Sequence, residues 1–211
     1  MKTFFITGTD TSVGKTTVAA ALTYALHASY WKPIQSGLQD DISDKDSVQA
    51  LTGLSDNYFC PTTYELQASL SPDQAAEIEN VVIDTEHCVM PEVQTGHLII
   101  EGAGGVLVPL NENEMIIDLI QRLQSPVVIV SRGGLGTVNH TLLTIAVLRA
   151  KAIPILGVVF SGKLNPANQL AIEKWGQVKT LFHLPYFENL TPARLQAWVK
   201  KEQKHLIKEF L

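Results

Sequence analysis

The residues with the clearest chemical potential form a glycine-rich loop near the start of the chain, GTDTSVGKTT, from Gly8 to Thr17. An apolar run precedes the loop and an alanine-rich segment follows it, which is the strand–loop–helix context of a phosphate-binding loop. Glycine lets backbone N–H groups turn towards an anion, and the start of the following helix adds a favourable dipole. We therefore expect Lys15 to reach the β- and γ-phosphates of a nucleotide and the Thr16 hydroxyl to coordinate Mg²⁺.

The spacing in this loop differs by one residue from the common GxxxxGK[ST] pattern. Five residues separate Gly8 from Gly14, and Thr9 stands where the first glycine would be. The alternative is a glycine turn between a strand and a helix, followed by a surface lysine. That alternative leaves the Gly-Lys-Thr-Thr run at the helix start unexplained, so the sequence favours a phosphate site.

Two further polar segments follow apolar runs. Lys32 begins KPIQSG, in which Pro33 keeps Lys32 extended and Gly37 permits a tight turn. Glu101 opens EGAGG after the run HLII, where a carboxylate suits a Mg²⁺ ligand and glycines let backbone N–H groups approach the γ-phosphate. The alternatives are a solvated lysine in the first segment and a simple tight turn in the second.

Two other polar sites stand near expected helix starts. Asp46 lies in DISDKDSVQALTG, where capping is the default role and a metal role needs partners elsewhere. The segment LGTVNH opens a helix after the run PVVIV, and the free N–H groups of that helix suit a carboxylate. Asn139 and His140 are explained equally well as ordinary polar residues of a first helical turn.

These segments need a scaffold that brings strand ends together. Short apolar, β-branched runs predict buried strands at residues 3–7, 97–101, 126–130 and 154–160. Helices are predicted at residues 15–28, 137–151 and 191–209, the last with Thr191 as N-cap and Pro192 at its first position.

Strands that alternate with helices predict an α/β fold of the P-loop NTPase type, with a doubly wound, mostly parallel sheet flanked by helices. In such a sheet the ligands lie beyond the carboxyl ends of the strands, which is where the segments above occur. We expect one domain over residues 1–211, with a partly irregular stretch at residues 38–96.

The composition limits the classes of function. Of 211 residues, 45% are hydrophobic and 18% charged, and the formal net charge of -5 without a basic block disfavours nucleic-acid binding. Cys60 and Cys88 form no CxxC pair and are expected to be ordinary thiols in a reducing compartment. The first apolar run is too short for a signal peptide, and no run approaches the ~20 residues of a membrane span. We expect a cytoplasmic protein with no membrane partner.

Taken together, GTDTSVGKT, KPIQSG, a later aspartate, EGAGG and LGTVNH resemble the dethiobiotin synthetases, in which these segments occur in the same order. The resemblance runs through most of residues 3–161, and the five-residue loop spacing is the form this family uses. It implies that CO₂ adds to an amine of 7,8-diaminononanoate to give a carbamate. ATP then converts the carbamate to a carbamic–phosphoric anhydride, and ring closure gives dethiobiotin, ADP and phosphate. Mg²⁺ as cofactor and a homodimer with sites at the subunit interface are also implied.

The resemblance assigns roles to individual residues. Lys15 and Lys32 would supply catalytic charge, and Thr16, Asp46 and Glu101 would form the Mg²⁺ set. Substrate would be held by Thr11, by Ser36 and by Asn139 of the partner subunit. The nucleotide and its metal would be held by Ser12, Val13, Gly14, Lys15, Thr16, Thr17, Asp46, Glu101, Gly102, Ala103, Gly104, Ser161, Pro185, Tyr186 and Phe187.

The chain departs from the family pattern at several places. Ser12 stands where some members carry glutamate. Ser161 and Gly162 stand where an asparagine often binds the adenine base, which leaves the use of other nucleoside triphosphates open. The segments 27–31 and 80–96 look shortened, so the strand before Lys32 is expected to be truncated.

Two rival functions deserve comparison. Amidating enzymes of the cobyrinate type carry a glutaminase domain with a nucleophilic cysteine, for which 211 residues leave no room. Partition or positioning ATPases, which are nucleotide-switched binding modules, usually have a lysine early in the phosphate loop, where this chain has Asp10. Four lysines of the last helical segment leave a surface role open, although a solvated helix face explains them better; they are Lys200, Lys201, Lys204 and Lys208.

Overall fold

β-Branched and aromatic runs form a six-stranded sheet at the centre of the protein, whose computed structural model describes residues 1–210. The strand order is β2-β5-β1-β6-β7-β8, and every pairing in this sheet is parallel. A separate parallel pair joins β3 and β4. The strands are β1 (Lys2–Gly8), β2 (Ser29–Trp31), β3 (Ile34–Gln35), β4 (Tyr64–Glu65), β5 (His97–Gly105), β6 (Val127–Arg132), β7 (Ile155–Gly162) and β8 (Thr180–Pro185).

Helices cover both faces of the sheet. They are α1 (Lys15–Leu26), α2 (Asp44–Thr52), α3 (Pro72–Ile78), α4 (Ile116–Leu123), α5 (Thr137–Ala150), α6 (Pro166–Gly176) and α7 (Pro192–Phe210). Short 3-10 turns lie at Asp56–Tyr58 and Thr85–His87. No helix among residues 1–210 has the length and apolar character needed to cross a membrane.

The alternation of side chains along β1 divides the interior into two cores. Phe5 points into the core beneath α3, α4, α5 and α6, whereas Phe4 and Ile6 point into the core beneath α1, α2 and α7. Because the strands are buried on both faces, they read as continuous apolar runs. The predicted doubly wound parallel sheet is therefore confirmed.

The position of β1 explains where a ligand belongs. β1 lies between β5 and β6, so successive strands of the chain fall on opposite sides of it. This is a topological switch point, and in open α/β sheets the crevice at the carboxyl ends of such strands receives the ligand. The phosphate loop follows β1 at this point, and Glu101 lies in the neighbouring β5.

Most of the predicted elements are confirmed, with differences at their ends. β2 is a strand of three residues, as its short run predicted, and the hydroxyl of Thr191 accepts a hydrogen bond from the Arg194 N–H at the start of α7. The EGAGG segment is not a turn after the strand, because β5 continues to Gly105. The sequence analysis did not identify three helices and three strands, namely α3, α4, α6, β3, β4 and β8.

Candidate active site

The phosphate loop lies between β1 and α1 and holds two residues with positive φ. Gly14 has φ +95° at the N-cap of α1, and Ser12 has φ 54°. A side chain at Gly8 would come within 2.6 Å of the Asp10 carbonyl oxygen, so the loop folds closely over this glycine. The helix start therefore presents its free N–H groups to the cleft, as an anion-binding loop requires.

Lys15 lies beneath this loop with only 8% of its surface exposed, and its Nζ donates to the carbonyl oxygen of Asp10 at 3.4 Å. Burial lowers the pKa of the Lys15 ammonium, and the charge of Lys32 lowers it further. A buried ammonium of this kind, on the first residue of α1, is suited to bind an anionic ligand.

Two carboxylates converge on Lys32. Its Nζ lies 2.5 Å from Asp44 Oδ2 and 3.4 Å from Glu101 Oε1, and it also donates to the Gly102 carbonyl oxygen at 3.0 Å. Lys32 and Glu101 are buried, whereas the Asp44 side chain is 27% exposed. Two cations, Lys15 and Lys32, thus face two anions in one buried cluster.

The Thr16 hydroxyl joins the same two carboxylates. Its oxygen lies 2.9 Å from Asp44 Oδ1 and 2.9 Å from Glu101 Oε1. A hydroxyl has a single proton, so it donates to only one of these oxygens at a time. Three hard oxygen atoms therefore converge with one proton between them, which is a donor set that fits Mg²⁺.

The neighbouring lysine charge and burial have opposite effects on the pKa values of the two carboxylates, Asp44 and Glu101. Burial alone would raise the pKa of Asp44, but the Lys32 ammonium and the Thr16 hydrogen bond hold it below its usual value. Burial raises the pKa of Glu101 and outweighs Lys32, because Glu101 is fully buried and stands farther from Nζ. Burial likewise opposes the charge of Lys32, but Glu101 and Asp44 keep the Lys32 pKa above its usual value. The pKa shifts of Lys32 and Asp44 therefore both favour the charged forms of these two residues.

Tyr30 completes the surroundings of Glu101 from β2. Its hydroxyl donates to Glu101 Oε2 at 2.9 Å, and its side chain is fully buried. Burial and the neighbouring Glu101 charge hold the pKa of Tyr30 well above its usual range, so the phenol keeps its proton. Each oxygen of Glu101 therefore has a separate donor.

The aspartate in this cluster is Asp44 and not Asp46, which the sequence had suggested. Ser43 is the N-cap of α2 and its hydroxyl accepts from the Asp46 N–H at 3.0 Å, which puts Asp46 at the third helical position with an exposed side chain. Asp44, at the first helical position, turns towards Thr16, and Gln35 Oε1 accepts its backbone N–H at 3.1 Å. The expectation that Asp46 joins Thr16 and Glu101 was wrong, because helical geometry points Asp46 away from them.

A cleft of about 570 Å³ opens over this cluster. Among residues 1–210, its walls include most of the residues assigned by resemblance: Thr11, Ser12, Gly14, Lys15, Thr16, Thr17, Lys32, Ser36, Glu101, Ala103 and Gly104. The walls also include Gln35, Asp41, Asp44 and Ser69, which the sequence analysis missed. The Ser43-to-Asp46 spacing is a capping signature, and it is the signal that could have identified Asp44 as the first helical residue.

The remaining predicted residues lie around the cleft or away from it. Val13 is buried in the core under α1, and Gly102 contributes its carbonyl oxygen to Lys32. Asn139 is exposed in the first turn of α5 and does not line this cleft, so within one chain it does not meet Lys15.

The base-binding candidates gather at the ends of β7 and β8. The Ser161 hydroxyl lies directly against Gly14, so that a side chain at Gly14 would overlap it. Gly162 pairs with Pro185, which brings the turn at residues 185–187 beside Ser161. Tyr186 is 64% exposed, and Phe187 packs against the core under α1.

A parallel doubly wound sheet, a glycine-rich loop before α1, and a buried lysine with Thr16 after it define a P-loop nucleoside-triphosphate-binding protein. Solved structures agree with this fold. The septum site-determining protein MinD complexed with Mg-ADP from Pyrococcus horikoshii OT3 is 15% identical, with a TM-score of 0.60 over 99% of this chain and 93% of that one. A ParA family ATPase from Chlorobium tepidum TLS is 13% identical, with a TM-score of 0.55 over 99% of this chain and 96% of that one.

Sequence comparison gives the particular family. The AAA domain family matches residues 2–194. The ATP-dependent dethiobiotin synthetase BioD of Rhodopseudomonas palustris (strain HaA2) is 47% identical over 93% of this chain and 91% of the relative. The ATP-dependent dethiobiotin synthetase BioD of Novosphingobium aromaticivorans is 45% identical over 95% of this chain and 96% of the relative. The biotin biosynthesis bifunctional protein BioCD of Bordetella avium is 45% identical, and this chain spans 42% of its length. The chain belongs to the ATP-dependent dethiobiotin synthetase family.

Proposed function

We propose that this chain carries out the ATP-dependent ring closure of 7,8-diaminononanoate with CO₂ to dethiobiotin, ADP and phosphate. The observation that carries the proposal is the cluster of Lys15, Thr16, Lys32, Asp44 and Glu101 at the carboxyl ends of β1 and β5. It combines anion-binding charge with hard oxygen ligands in one cleft. Membership of the dethiobiotin synthetase family supports the choice of substrate.

The electrostatics of the reaction fit this cluster. A carbamate and a triphosphate repel each other, and the enzyme must offset that repulsion while aligning the two groups. The two lysines and two carboxylates of the cluster balance one another, so the added negative charge of the ligands requires a further cation. Mg²⁺, bound through Thr16, Asp44 and Glu101, would supply that positive charge at the β- and γ-phosphate oxygens.

The residues of this chain have separate tasks in the proposed reaction. The N–H groups at the start of α1 and Lys15 hold the phosphate oxygens at the reacting centre. Lys32, fixed by Asp44 and the Gly102 carbonyl, presents its ammonium to the carbamate oxygen as that oxygen attacks the γ-phosphorus. Positioning and charge stabilisation therefore account for the chemistry without a nucleophilic side chain.

The rest of the cleft suits the diamine. Thr11 and Ser36 both line the cleft, and in this proposal their hydroxyl groups bind the two amines. The second amine attacks the carbamic–phosphoric anhydride, closes the cyclic urea and expels phosphate. Asn139 lies outside the cleft of its own chain, which supports a homodimer in which Asn139 of the partner subunit holds the substrate carboxylate. The proposed binding site for the nucleotide base lies beside Ser161 and is formed by Pro185, Tyr186 and Phe187.

Phosphate release tests the proposal. The purified chain is given MgATP with and without diaminononanoate and bicarbonate, and dethiobiotin is followed by mass spectrometry. Release that depends on the diamine, with dethiobiotin formed in equal amount, supports the proposal. Hydrolysis that ignores the diamine refutes it and favours a nucleotide-switched ATPase. The Lys15→Ala variant serves as the matched control for contaminating phosphatase.

A further inference from the structure

Tyr30 is a buried residue at the reacting cluster that the assigned set of residues does not include. It is the middle residue of the three-residue strand β2, and none of its surface is exposed. Its backbone carbonyl accepts from the Cys60 N–H at 2.9 Å, and its ring lies 6.2 Å from that of Phe59. The phenol is therefore held in place from both its backbone and its ring.

The register of the sheet aims this phenol at Glu101. Tyr30 pairs with Ile99 in the parallel β2–β5 pairing, and Glu101 follows two residues later on the same face of β5. The Tyr30 hydroxyl donates to Glu101 Oε2 at 2.9 Å. The side chain thus crosses between two strands to reach the carboxylate from the interior of the protein.

The two oxygens of Glu101 have different surroundings. Oε1 faces the cleft, where Thr16 lies at 2.9 Å and Lys32 at 3.4 Å. Oε2 faces the interior and receives the Tyr30 proton. The last torsion of a glutamate is intrinsically broad, so a donor on each oxygen is what fixes the plane of this carboxylate.

We propose that Tyr30 is a positioning residue that orients Glu101 as a ligand for the divalent cation. This inference rests on the metal site of the proposed function. By holding Oε2, the Tyr30 hydroxyl keeps Oε1 turned towards Thr16 and the phosphates. Groups that hydrogen-bond to metal ligands in this way commonly change metal affinity about 10- to 100-fold when they are removed.

A purely structural role predicts a different result. The ring of Tyr30 belongs to the core under α1, and a phenylalanine would keep that packing while removing one oxygen. If the hydroxyl served only the fold, its removal would lower stability and leave cation affinity unchanged. Cation affinity therefore separates the two roles.

The test uses Tyr30→Phe in the full chain, with Tyr24→Phe as the matched control on α1. Mn²⁺ replaces Mg²⁺ because it takes similar oxygen ligands and is visible by electron paramagnetic resonance. ADP affinity is first measured in EDTA, because it then reflects binding by the phosphate loop in the absence of a divalent cation. Mn²⁺ is then titrated into each protein with saturating ADP, and the steady-state kcat and KM for MgATP are compared.

We expect wild-type and Tyr24→Phe proteins to bind Mn²⁺ equally, and Tyr30→Phe to bind it about 10- to 100-fold more weakly with unchanged ADP affinity in EDTA. Unchanged Mn²⁺ affinity in Tyr30→Phe would overturn the inference while leaving the proposed function intact. Loss of ADP binding in EDTA would also overturn it, because Tyr30 would then support the whole fold. If wild-type protein with ADP holds no Mn²⁺, the metal site of the proposed function fails together with the inference.

Discussion

Replacing Asp44 by asparagine should distinguish the role of Asp44 from that of Asp46, the other aspartate at the start of α2. The change keeps the shape of the side chain and removes its charge. An asparagine oxygen can still accept the Thr16 hydrogen bond, but it cannot balance Lys32, whose Nζ lies 2.5 Å from Asp44 Oδ2. Asp46→Asn is a matched control, because both residues lie in the first turn of the same helix and both interact with its dipole.

The expected loss of activity follows from these contacts. Losing a hydrogen bond to a charged group costs about 1.5–3 kcal/mol, which corresponds to about a 10- to 100-fold fall in kcat/KM if the interaction acts in the transition state. Loss of the interaction with the helix dipole costs only about 0.3–1 kcal/mol of stability, and this contribution should be similar in both variants. Asp44→Asn should lose further stability, because it also removes the charge that balances the buried Lys32. We therefore expect a large loss of activity in Asp44→Asn and near-normal activity in Asp46→Asn.

Diamine-dependent phosphate release across a Mg²⁺ titration measures the activity, and urea unfolding measures the stability. The Asp44→Asn variant should need more Mg²⁺ to reach half its maximum rate, because the proposed Mg²⁺ ligand at this position would have lost its negative charge. Equal loss of activity in the two variants would refute the assignment of Asp44. So would a fully active Asp44→Asn enzyme with unchanged Mg²⁺ dependence.

Three further changes test other parts of the structure. Lys15→Ala should lower kcat about 100- to 1,000-fold by removing charge at the reacting phosphates, whereas Lys201→Ala on the exposed surface of α7 should leave phosphate release unchanged. Asn139→Ala should raise KM for the diamine more than it lowers kcat, because the residue is proposed to hold a remote carboxylate. Asp118→Asn should lower the free energy of unfolding by about 1 kcal/mol at neutral pH, because Asp118 caps the Met115 N–H and contacts Lys151.

The Asp118 effect should depend on pH in a definite direction. The Met115 N–H and Lys151 hold the pKa of Asp118 below its usual value, against a smaller opposing effect of burial. A depressed pKa stabilises the folded state above the unfolded pKa, and the stabilisation disappears as pH falls through the folded pKa. The difference between wild type and Asp118→Asn, measured by urea unfolding, should therefore shrink below about pH 4. A constant difference would contradict this explanation. Glu77→Gln, at an exposed position of α3, gives the baseline.

Clear outcomes would contradict the other two predictions. Normal phosphate release in Lys15→Ala would remove Lys15 from the reacting centre. A change in kcat alone for Asn139→Ala would argue against a role in holding the substrate carboxylate.

The sequence by itself determined the parts of the protein that are local. The phosphate loop, Lys15 and Thr16 are neighbours along the chain, and their positions follow from a strand, a glycine loop and a helix start in immediate succession. Apolar runs predicted the central strands, because strands buried on both faces must be apolar throughout. The edge strand β8, the short β3–β4 pair and the helices α3, α4 and α6 were missed.

The tertiary structure alone decided which aspartate and which tyrosine reach the cluster. Residues two apart on a helix point about 200° apart, so Asp44 faces Thr16 while Asp46 faces solvent. The Ser43 cap fixes that rotation, and it follows from the sequence only once the helix start is known. Tyr30 meets Glu101 through the register between β2 and β5, strands that are far apart in the chain. Register depends on how the whole sheet packs, and for that reason no local pattern could place this contact.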